Sequence, residues 1–386
     1  MPKILFVGRS NRPSLSRLPQ RARPVCGNLT ILCSRGDFLD STGFFDRKLY
    51  WFETEKYGKL LWRATSLLKL CLVLMDQRPE VIVFGDEASL KLASVINTLG
   101  LTHLLPLPPG TKKALRLALP PKKHYRQYFN RVENHSLVDS LGLRCPRGRA
   151  LHAVEDGLSF LSESPSGMVI KLDSTVAGEG VYMCHSPADV VTVFETLDVG
   201  HGPILAQDWL NGPLGFYTFS AFEGKLLSGH AAIKREGHMG CTGPSSLIEI
   251  INYPEMSLAA ERLAEALHLS GLYGIDFILD ETTKAAFVIE FNPRPTQTSH
   301  LDSALTDYVR AMVKGSSKVS EAEAVPELEP GAKVALYPQE WQRLGRAPQA
   351  CDIILDIPLE DPSLIAAFED VWRAGAPGKP AWGLGV

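Results

Sequence analysis

Two acidic residues, Asp276 and Glu290, stand in runs of alternating polar and apolar residues at 271–279 and 285–294. Such alternation is typical of half-buried strands, and the short polar segment between the runs predicts a β-hairpin. Two ionised carboxylates on one face of a hairpin repel each other unless a cation offsets their charge. Mg²⁺ takes oxygen ligands and bridges to phosphate groups. The pattern therefore predicts a metal site that could hold a phosphorylated ligand; ordinary solvent-facing polar residues are the alternative.

The predicted turn, 280–284, has five residues, and such an odd-length loop pairs even-numbered residues with even-numbered ones. Glu290 would then lie opposite Gly274 and diagonal to Asp276, with Cα atoms about 7 Å apart. Asn292 would share their face. The apolar residues of the two runs would form the opposite, core face: Ile275, Phe277, Phe287, Ile289 and Phe291.

The first hundred residues alternate short apolar runs with helical segments. Three apolar runs predict strands, at 3–7, 29–33 and 81–84. Two longer segments predict helices, at 59–77 and 87–99. This alternation is typical of an open parallel sheet. We expect an α/β domain over residues 1–105, followed by a proline-rich linker at 106–123 that carries one short basic helix.

The next part of the chain, 124–315, predicts an α+β domain with mostly antiparallel strands. Its predicted strands are 168–172, 181–184, 203–207, 217–222 and 225–233, followed by the hairpin. A helix is predicted over 255–269, because Met256, Ala260, Leu263 and Leu267 recur at helical spacing. The tail after 316 is predicted to add one strand and one helix as a small subdomain, 316–386.

Composition and cysteine usage exclude several classes of protein. The 386-residue chain has a formal net charge of −3, so we expect no nucleic-acid partner. Its seven cysteines include no C-x-x-C pair, which argues against a zinc ribbon or disulfide framework and favours the cytoplasm. The most apolar stretch, 60–75, is shorter than a bilayer span of about 20 residues, so no membrane association is expected. The signatures of P-loop, zincin, hydrolase-elbow and dinucleotide-binding proteins are absent.

Asp276, followed by Phe-Val-Ile-Glu290-Phe-Asn292-Pro293-Arg294, resembles the metal-binding strand pair of ATP-grasp enzymes, in particular the biotin carboxylase and carbamoyl phosphate synthetase branch. The resemblance implies that Asp276, Glu290 and Asn292 hold one or two Mg²⁺ ions, or Mn²⁺ in their place, that bridge ATP phosphates. It implies that Arg294 stabilises charge on the transferring phosphoryl group. A surface salt bridge is the alternative for Arg294.

Three upstream segments resemble other parts of the same fold, in the order that the family requires. They are the strand lysine with its glycine-rich flap, the hinge that reads adenine, and the phosphate-binding lysine, here an arginine. The implied nucleotide contacts are Arg131, Lys171, Gly178, Gly180, Val181, Gln207, Asp208, Trp209 and Leu210. The implied subdomains are 124–206 and 207–315, after a pre-ATP-grasp domain. Taken alone, the glycine-rich segment also fits an ordinary hairpin turn, and the hinge segment also fits an edge strand with a core Trp.

The sequence identifies the residues that would contact the substrate less clearly. Lys234 and Arg235 precede a glycine-rich stretch at 237–244, which we expect to form a substrate-side lid with these two as catalytic residues. A plain mobile loop is the alternative. Residues 8–10 and 86–87 follow predicted parallel strands, whose carboxyl ends bind ligands in open sheets. They are expected to line the pocket of a carboxylate substrate, with helix capping by Asp86 as the alternative.

Two departures from the family pattern narrow the function. No acidic residue follows the hinge at 212–215, so the residue that contacts the ribose is undefined. Residues 295–298 differ from the corresponding segment of biotin carboxylase, so carboxylation of biotin is not implied. The resemblance implies a carboxylate–amine ligase that forms an acyl phosphate and acts on an amino acid or small metabolite. We also expect a cytoplasmic location, from the cysteine usage, and a homodimer as one form of assembly. The alternatives are a small-molecule kinase on the same fold and a nucleotide-binding regulatory protein without catalysis.

Overall fold

Three β-sheets organise the protein. The computed structural model describes residues 1–54, 58–172, 180–197, 204–237, 243–280, 283, 285–317, 328–348 and 352–374. Two of the sheets have four strands and the third has seven. Within the described ranges, each helix is too short or too polar to cross a membrane.

The first domain is a parallel sheet flanked by helices. Its elements are β1 Lys3–Val7, α1 Pro13–Ser16, α2 Leu18–Ala22, β2 Asn28–Cys33, α3 Phe38–Ser41, β3 Arg47–Tyr50, α4 Lys59–Gln77, β4 Val81–Phe84, α5 Glu87–Thr98, α6 Leu101–Leu104 and α7 Pro109–Leu117. The strands lie in the order β3, β2, β1, β4, all parallel. The predicted open parallel sheet is confirmed. β3 escaped prediction because a short edge strand with two basic residues carries little apolar signal.

The segment predicted as a linker contains α7, as expected, and this helix packs on the first domain. Ala114 and Leu115 are fully buried, and α7 lies against β4. The prolines therefore mark the ends of a docked helix, since proline fits the first turn of a helix and interrupts its interior.

An antiparallel four-stranded sheet follows. Its elements, with the two helices that precede them, are α8 Tyr125–Phe129, α9 Arg131–Ser140, β5 Gly148–Leu151, α10 Val154–Ser162, β6 Met168–Lys171, β7 Val181–Cys184, α11 Pro187–Thr196 and β8 Ile204–Asp208. The strands lie in the order β5, β8, β6, β7. Alternate residues of β6 and β8 enter a core under α10 and α11. Their remaining residues, Lys171 and Gln207 among them, therefore face the other way.

The third sheet carries the predicted hairpin. Its elements are β9 Leu214–Phe222, β10 Lys225–Gly237, β11 Ser245–Ile251, α12 Pro254–Leu267, β12 Gly271–Leu279, β13 Ala286–Asn292, α13 Ala304–Lys314, β14 Lys333–Leu336, α14 Gln339–Leu344, β15 Ile353–Asp356 and α15 Pro362–Ala374. The strands lie in the order β13, β12, β9, β10, β11, β14, β15. The predicted apolar stripe of α12 is buried, which confirms the face that this helix packs on the sheet.

The tail differs from the predicted strand and helix. It contributes two strands, β14 and β15, and two helices, and both strands extend the seven-stranded sheet. The ring of Phe368 in α15 packs 4.8 Å from that of Phe38 in α3. The tail therefore joins the third sheet to the first domain, because its apolar face is covered by both.

A buried ionic cluster fixes this junction. Arg17 Nη2 lies 2.7 Å from Asp356 Oδ1, and His300 Nε2 lies 2.9 Å from Asp356 Oδ2. The exposed fractions of the Arg17 and Asp356 side chains are 7% and 6%. Removing one partner of such a pair leaves an uncompensated buried charge.

We therefore expect Asp356→Ala to lower the free energy of unfolding by about 3–5 kcal/mol, measured by urea denaturation. Asp352→Ala is the matched control, because Asp352 is exposed and lies 3.8 Å from Lys333. Its change should stay within about 0.5 kcal/mol. Equal losses from the two variants would contradict the assignment of the cluster as the anchor of the tail.

Candidate active site

The predicted hairpin is formed by β12 and β13, but its predicted register is wrong. Asp276 lies directly opposite Glu290, and Gly274 lies opposite Asn292. The physical reason has two parts. Next to the turn, Leu279 pairs with Ala286, one residue later than predicted, and a β-bulge in which Ile289 is the extra residue of β13 shifts the pairing by one more residue. The acidic pair is therefore closer than the predicted diagonal arrangement, because directly opposite residues are nearer than diagonal ones.

The bulge also changes which residues of β13 face the core. Val288 is buried opposite Phe277. Phe287 and Ile289, which were predicted to lie in the core, are only partly buried. The other three predicted core residues, Ile275, Phe277 and Phe291, are buried. One extra residue reverses the alternation along β13, so the two-residue period of the sequence fails at this point.

Asn292 and Arg294 extend the acidic pair through hydrogen bonds. Asn292 Nδ2 donates to Asp276 Oδ2 at 3.1 Å, and Arg294 Nη2 donates to Asn292 Oδ1 at 3.0 Å. The three residues predicted as metal ligands and the predicted catalytic arginine thus lie together on one face of the hairpin.

Two cations from the preceding subdomain reach this face. Lys171, the last residue of β6, donates from Nζ to the carbonyl oxygen of Ile289 at 2.9 Å. Arg131, the first residue of α9, places Nη2 2.7 Å from Glu290 Oε1 and donates from Nη1 to the carbonyl oxygen of Leu172. The predicted phosphate-binding residues therefore lie beside the predicted metal ligands, across the cleft between the two subdomains.

The charges of the site perturb one another. Burial and then the negative charge of Glu290 raise the pKa of Asp276 from 3.8 to about 6. Burial also opposes ionisation of Glu290, but the positive charges of Arg131 and Lys171 outweigh it and hold the pKa of Glu290 below its ordinary value. Asp276 is therefore the carboxylate that an added cation would stabilise most.

This balance predicts how Asp276 affects stability with pH. Because the pKa of Asp276 is raised to about 6 in the folded protein, its ionised form favours unfolding, and the cost grows between about pH 4 and pH 6. We expect Asp276→Asn to raise the free energy of unfolding at pH 8, by at most about 3 kcal/mol. The advantage should vanish near pH 4. Thermal and urea unfolding of the metal-free protein test this, and a pH-independent difference would contradict it.

Burial lowers the pKa of Lys171 to about 8, against the attraction of Glu290. Lys171 is thus still mainly charged at neutral pH but begins to lose its proton in mildly alkaline solution. A cation in this position suits phosphate oxygens, which Lys binds as a point charge.

Gln207 of β8 carries an unsatisfied polar atom. Its side chain is 2% exposed, and Nε2 lies 3.1 Å from His135 Nδ1. Its Oε1 is buried and has no hydrogen-bond partner in the described part of the chain. An unpaired buried oxygen costs about 1–3 kcal/mol, so a ligand that donates an N–H there would be favoured. This is the position predicted to read an exocyclic amine.

The remaining hinge residues are engaged differently. Asp208 Oδ1 lies 3.0 Å from Arg147 Nη2 and accepts a hydrogen bond from Ser164 Oγ at 2.7 Å. The backbone N–H of Trp209 donates to the carbonyl oxygen of Gly167 at 3.0 Å, and Leu210 is partly buried. The structure thus brings Gln207, but not the carboxylate of Asp208, to the face of β8 that turns toward Glu290.

The glycine-rich flap is described only at its end. Gly180 adopts a positive φ of 66°, and its carbonyl oxygen accepts a hydrogen bond from the N–H of Leu172 at 2.9 Å. Val181, the first residue of β7, pairs with Lys171. Gly178 lies outside the described residues. The strand lysine and the flap end are therefore adjacent in the structure.

Lys234 and Arg235, both predicted to be catalytic, have different surroundings. Lys234 Nζ donates to the carbonyl oxygen of Gly243 at 2.5 Å, whereas Arg235 Nε lies 3.0 Å from Glu249 Oε2. Successive residues of a strand point to opposite faces, so only one of them shares the face of the acidic pair. The middle of the predicted lid, 238–242, lies outside the described residues.

The sheet register identifies that residue as Lys234. Asp276 pairs with Phe216 of β9, which pairs with Ala232 of β10. Lys234, two residues after Ala232, has the same orientation as Asp276. Arg235 forms an ion pair with Glu249, which lies opposite Ile233 and therefore on the other face of the sheet, so Arg235 takes no further part in the site.

The first domain contributes acidic groups to the cleft. Asp86 caps α5, and its Oδ2 accepts the backbone N–H of Arg9 at 2.6 Å and of Ser10 at 3.0 Å. The capping role given as the alternative for Asp86 is therefore observed. Glu87 Oε1 lies 3.9 Å from Arg294 Nε. The carboxyl ends of β1 and β4 thus meet the end of the hairpin.

An open cavity of about 580 Å³ occupies this junction. Its polar lining includes Glu87, Arg131, Asn134, His135, Gln207 and Glu290. Sequence reasoning missed His135, although it stands four residues after Arg131 and so shares its face of α9. Concave sites lined by a few convergent polar groups are typical ligand sites.

The donor set fits Mg²⁺. Asp276, Glu290 and Asn292 offer carboxylate and amide oxygens, the ligands that Mg²⁺ prefers. Groups of three or more His, Cys, Asp or Glu side chains that could hold a metal are absent from the described part of the chain. Mg²⁺ is usually held by one or two carboxylates together with substrate phosphates, and not by protein ligands alone. A site with two carboxylates fits this pattern.

Sequence comparison relates part of this chain to a known domain. Residues 135–298 match the ATP-grasp domain. The carbamoyl phosphate synthase large chain of Thermus thermophilus is 24% identical over 261 residues, and the alignment covers 62% of this chain and 24% of that one. The large chain from Neisseria gonorrhoeae is 26% identical over 277 residues, covering 67% of this chain and 24% of that one. The chain thus spans about a quarter of the length of these relatives.

Solved structures show the same fold over more of the chain. Biotin carboxylase from Campylobacter jejuni superposes with a TM-score of 0.62 at 11% identity, covering 85% of this chain and 74% of that one. N5-carboxyaminoimidazole synthetase from Staphylococcus aureus gives a TM-score of 0.56 at 13% identity, covering 84% and 80%. The likeness extends beyond residues 135–298, so it includes the flanking parts of the chain.

Proposed function

We propose that the chain is an ATP- and Mg²⁺-dependent carboxylate–amine ligase, because residues 135–298 match the ATP-grasp domain. The reaction would transfer the γ-phosphoryl group of ATP to a carboxylate, and an amine would then displace phosphate to form an amide. Activation is needed because a carboxylate is a poor electrophile, whereas phosphate leaves readily once its charge is neutralised. The substrates proposed are an amino acid or another small acid and an amine.

The observation that carries the proposal is the acidic pair within reach of two cations. Asp276 and Glu290 lie directly opposite each other, and Arg131 and Lys171 approach them from the facing subdomain. Opposite charges on the two walls of one cleft suit a ligand that is itself anionic and carries a cation. A metal–nucleotide complex has this chemistry.

Individual roles follow from position. Lys171 and Arg131 would bind phosphate oxygens, and Gln207 Oε1 would accept a hydrogen bond from the adenine amine. Arg294, which donates to Asn292, would stabilise the negative charge that develops on the transferring phosphoryl group. Lys234, on the same face of the sheet, would contact the substrate side.

Asp276, Glu290 and Asn292 would hold the metal. Bound Mg²⁺ would neutralise phosphate charge and orient the phosphate groups. Arg131 and Lys171 favour the ionised form of Glu290, and Asn292 donates a hydrogen bond to Asp276. Mn²⁺ has similar ligand preferences and is expected to substitute.

The experiment that tests the proposal is product analysis by mass spectrometry after incubation with ATP, Mg²⁺ and pooled carboxylic acids and amines. A ligase yields ADP, phosphate and a new amide in equal amounts. ADP with a stable phosphorylated product and no free phosphate would identify a kinase instead. ATP binding without turnover in every pool would identify a regulatory nucleotide-binding protein.

We include a homodimer in the proposal. One similar solved structure is the biotin carboxylase domain of 2-oxoglutarate carboxylase from Hydrogenobacter thermophilus, a dimer with MgADP. It superposes with a TM-score of 0.61 at 13% identity, covering 85% of this chain and 73% of that one. Sedimentation equilibrium tests this part, and a mass of one chain at all concentrations would contradict it.

A further inference from the structure

Arg12 is a positively charged residue at the junction of the domains. None of the roles proposed above involves it. It lies between β1 and α1, and its Nε donates to Ser10 Oγ at 3.1 Å. In the described part of the chain, its two terminal nitrogens have no hydrogen-bond partner. Burial and then Arg294 lower the pKa of Arg12 to about 10, whereas Asp86 and Glu87 act in the opposite direction. Arg12 is therefore charged at neutral pH. Its partner Ser10 donates its backbone N–H to Asp86 Oδ2 at 3.0 Å, which places Arg12 beside the start of α5.

Glu87 is an anion in a similar situation. It lies in the first turn of α5, its side chain is 25% exposed, and it lines the cavity that also contains Glu290. Its closest charged contact is Arg294 Nε at 3.9 Å, which is too long for a hydrogen bond. Asp86, in contrast, accepts hydrogen bonds at both carboxylate oxygens, from backbone N–H groups of the loop after β1 and of the first turn of α5.

Arg294 lies between the two and connects them to the metal site. Its Nη2 and Nη1 donate to Asn292 and to the carbonyl oxygen of Pro295 at 3.0 and 3.3 Å. Its Nε is buried and has no hydrogen-bond partner among the described residues. Arg12, Arg294 and Glu87 thus lie together. Each has a donor or acceptor group without a hydrogen-bond partner in the described part of the chain.

We infer that this cluster binds a zwitterionic α-amino acid as the substrate whose carboxylate is activated, with Arg12 on the carboxylate and Glu87 on the ammonium group. This inference rests on the proposed ligase function. A carboxylate held between Arg12 and Arg294 would lie beside the metal ligands, where the phosphoryl group must be transferred. Glu87 would repel a simple carboxylic acid and attract the adjacent ammonium group.

The cluster should therefore discriminate by charge at both ends of the substrate. An acid without the amino group leaves Glu87 unpaired, and an amino-acid amide leaves Arg12 unpaired. A site built around buried polar groups rejects analogues that lack the matching group, because the unpaired group stays desolvated. Both analogues should bind at least about tenfold more weakly than the parent amino acid.

Calorimetric titration of the whole protein tests the inference. The probes are the proteinogenic L-amino acids in the presence of ATP and Mg²⁺, each followed by its amide and its deaminated acid. For an amino acid that binds, Arg12→Leu should weaken binding by about 10–100-fold and leave ATP binding unchanged. Glu87→Gln should weaken binding of the amino acid and remove the preference over the deaminated acid. Arg35→Leu, an exposed arginine of the same domain, is the matched control.

The outcomes separate this inference from the ligase function. ADP release driven equally by deaminated acids and amino acids would overturn the inference and leave the ligase standing. Amino-acid binding that depends on Arg12 and Glu87, without ADP release in any pool, would support the recognition cluster and refute the ligase. Absence of binding by every amino acid, or equal losses in Arg12→Leu and Arg35→Leu, would overturn the inference.

Discussion

Replacing Glu290 by glutamine is expected to lower substrate-dependent ADP release by at least about a hundredfold. Changes in groups that only support a metal ligand typically cost about 10–100-fold, and Glu290 is proposed to be a ligand itself. Glutamine keeps the size of the side chain and an oxygen for Arg131, which lies 2.7 Å from Glu290 Oε1. A coupled assay of ADP release with the substrates found by product analysis measures the effect.

The control for this loss is a glutamate away from the cleft. Glu80 is exposed and accepts the backbone N–H of Lys3 at 3.1 Å, so Glu80→Gln should retain full turnover. The melting temperature of Glu290→Gln establishes that the variant is folded. Turnover near that of the unsubstituted protein in a folded Glu290→Gln variant would remove the basis of the metal-site assignment.

Replacing Lys171 by methionine is expected to weaken ATP binding by about thirtyfold, which corresponds to about 2 kcal/mol. The substitution removes the positive charge at Nζ, which lies 2.9 Å from the carbonyl oxygen of Ile289 in the bulge. It also removes a charge that favours ionisation of Asp276 and Glu290. Titration of ATP in the presence of Mg²⁺ measures the affinity.

The pH dependence of the same binding gives a sharper test of Lys171. Because its pKa is lowered to about 8, the unsubstituted protein should lose ATP affinity as the pH rises through 8. Lys171→Arg should retain binding and lose this alkaline decline, since arginine stays protonated in that range. Lys225→Met, a change in an exposed residue of β10, should alter neither. An alkaline decline that persists unchanged in Lys171→Arg would assign it to another group.

Periodic segments were the most predictable part of the fold. The sequence expectation for the helix at 59–77 agrees with α4, and the apolar stripe of α12 is buried as predicted. Such elements bury enough apolar surface along one face for the pattern to reveal them. β3 and β15 were missed because their short sequences depend on neighbouring strands from distant parts of the chain.

In the hairpin, a local irregularity breaks the alternation of inward and outward side chains on which the prediction depended. Even residues do pair with even ones at Asp276, but two shifts precede that pair: Leu279 pairs with Ala286 next to the turn, and Ile289 is an extra residue. As a result Glu290 lies opposite Asp276, and Phe287 is only partly buried. A bulge is set by how both strands pack, and the polar alternation alone does not encode it. The carbonyl oxygen of the bulged residue is also the acceptor for Lys171.

Residues that act through tertiary contact were the hardest to assign. Gln207 was predicted within the hinge, but its unpaired Oε1 depends on His135 and on the packing of α9. Arg12 and Glu87 are 75 residues apart in sequence and meet only because β1 and β4 are neighbours in the parallel sheet. The sequence pattern identifies such residues singly; the sheet order brings them to one cleft.

The most direct test of the central claim is Mn²⁺ binding followed by electron paramagnetic resonance, with and without ATP. If Asp276 and Glu290 jointly hold a metal that also binds nucleotide, ATP should increase Mn²⁺ binding to the unsubstituted protein, and Asp276→Asn and Glu290→Gln should each abolish that increase. Mn²⁺–ATP binding of unchanged affinity in both folded variants would contradict the claim.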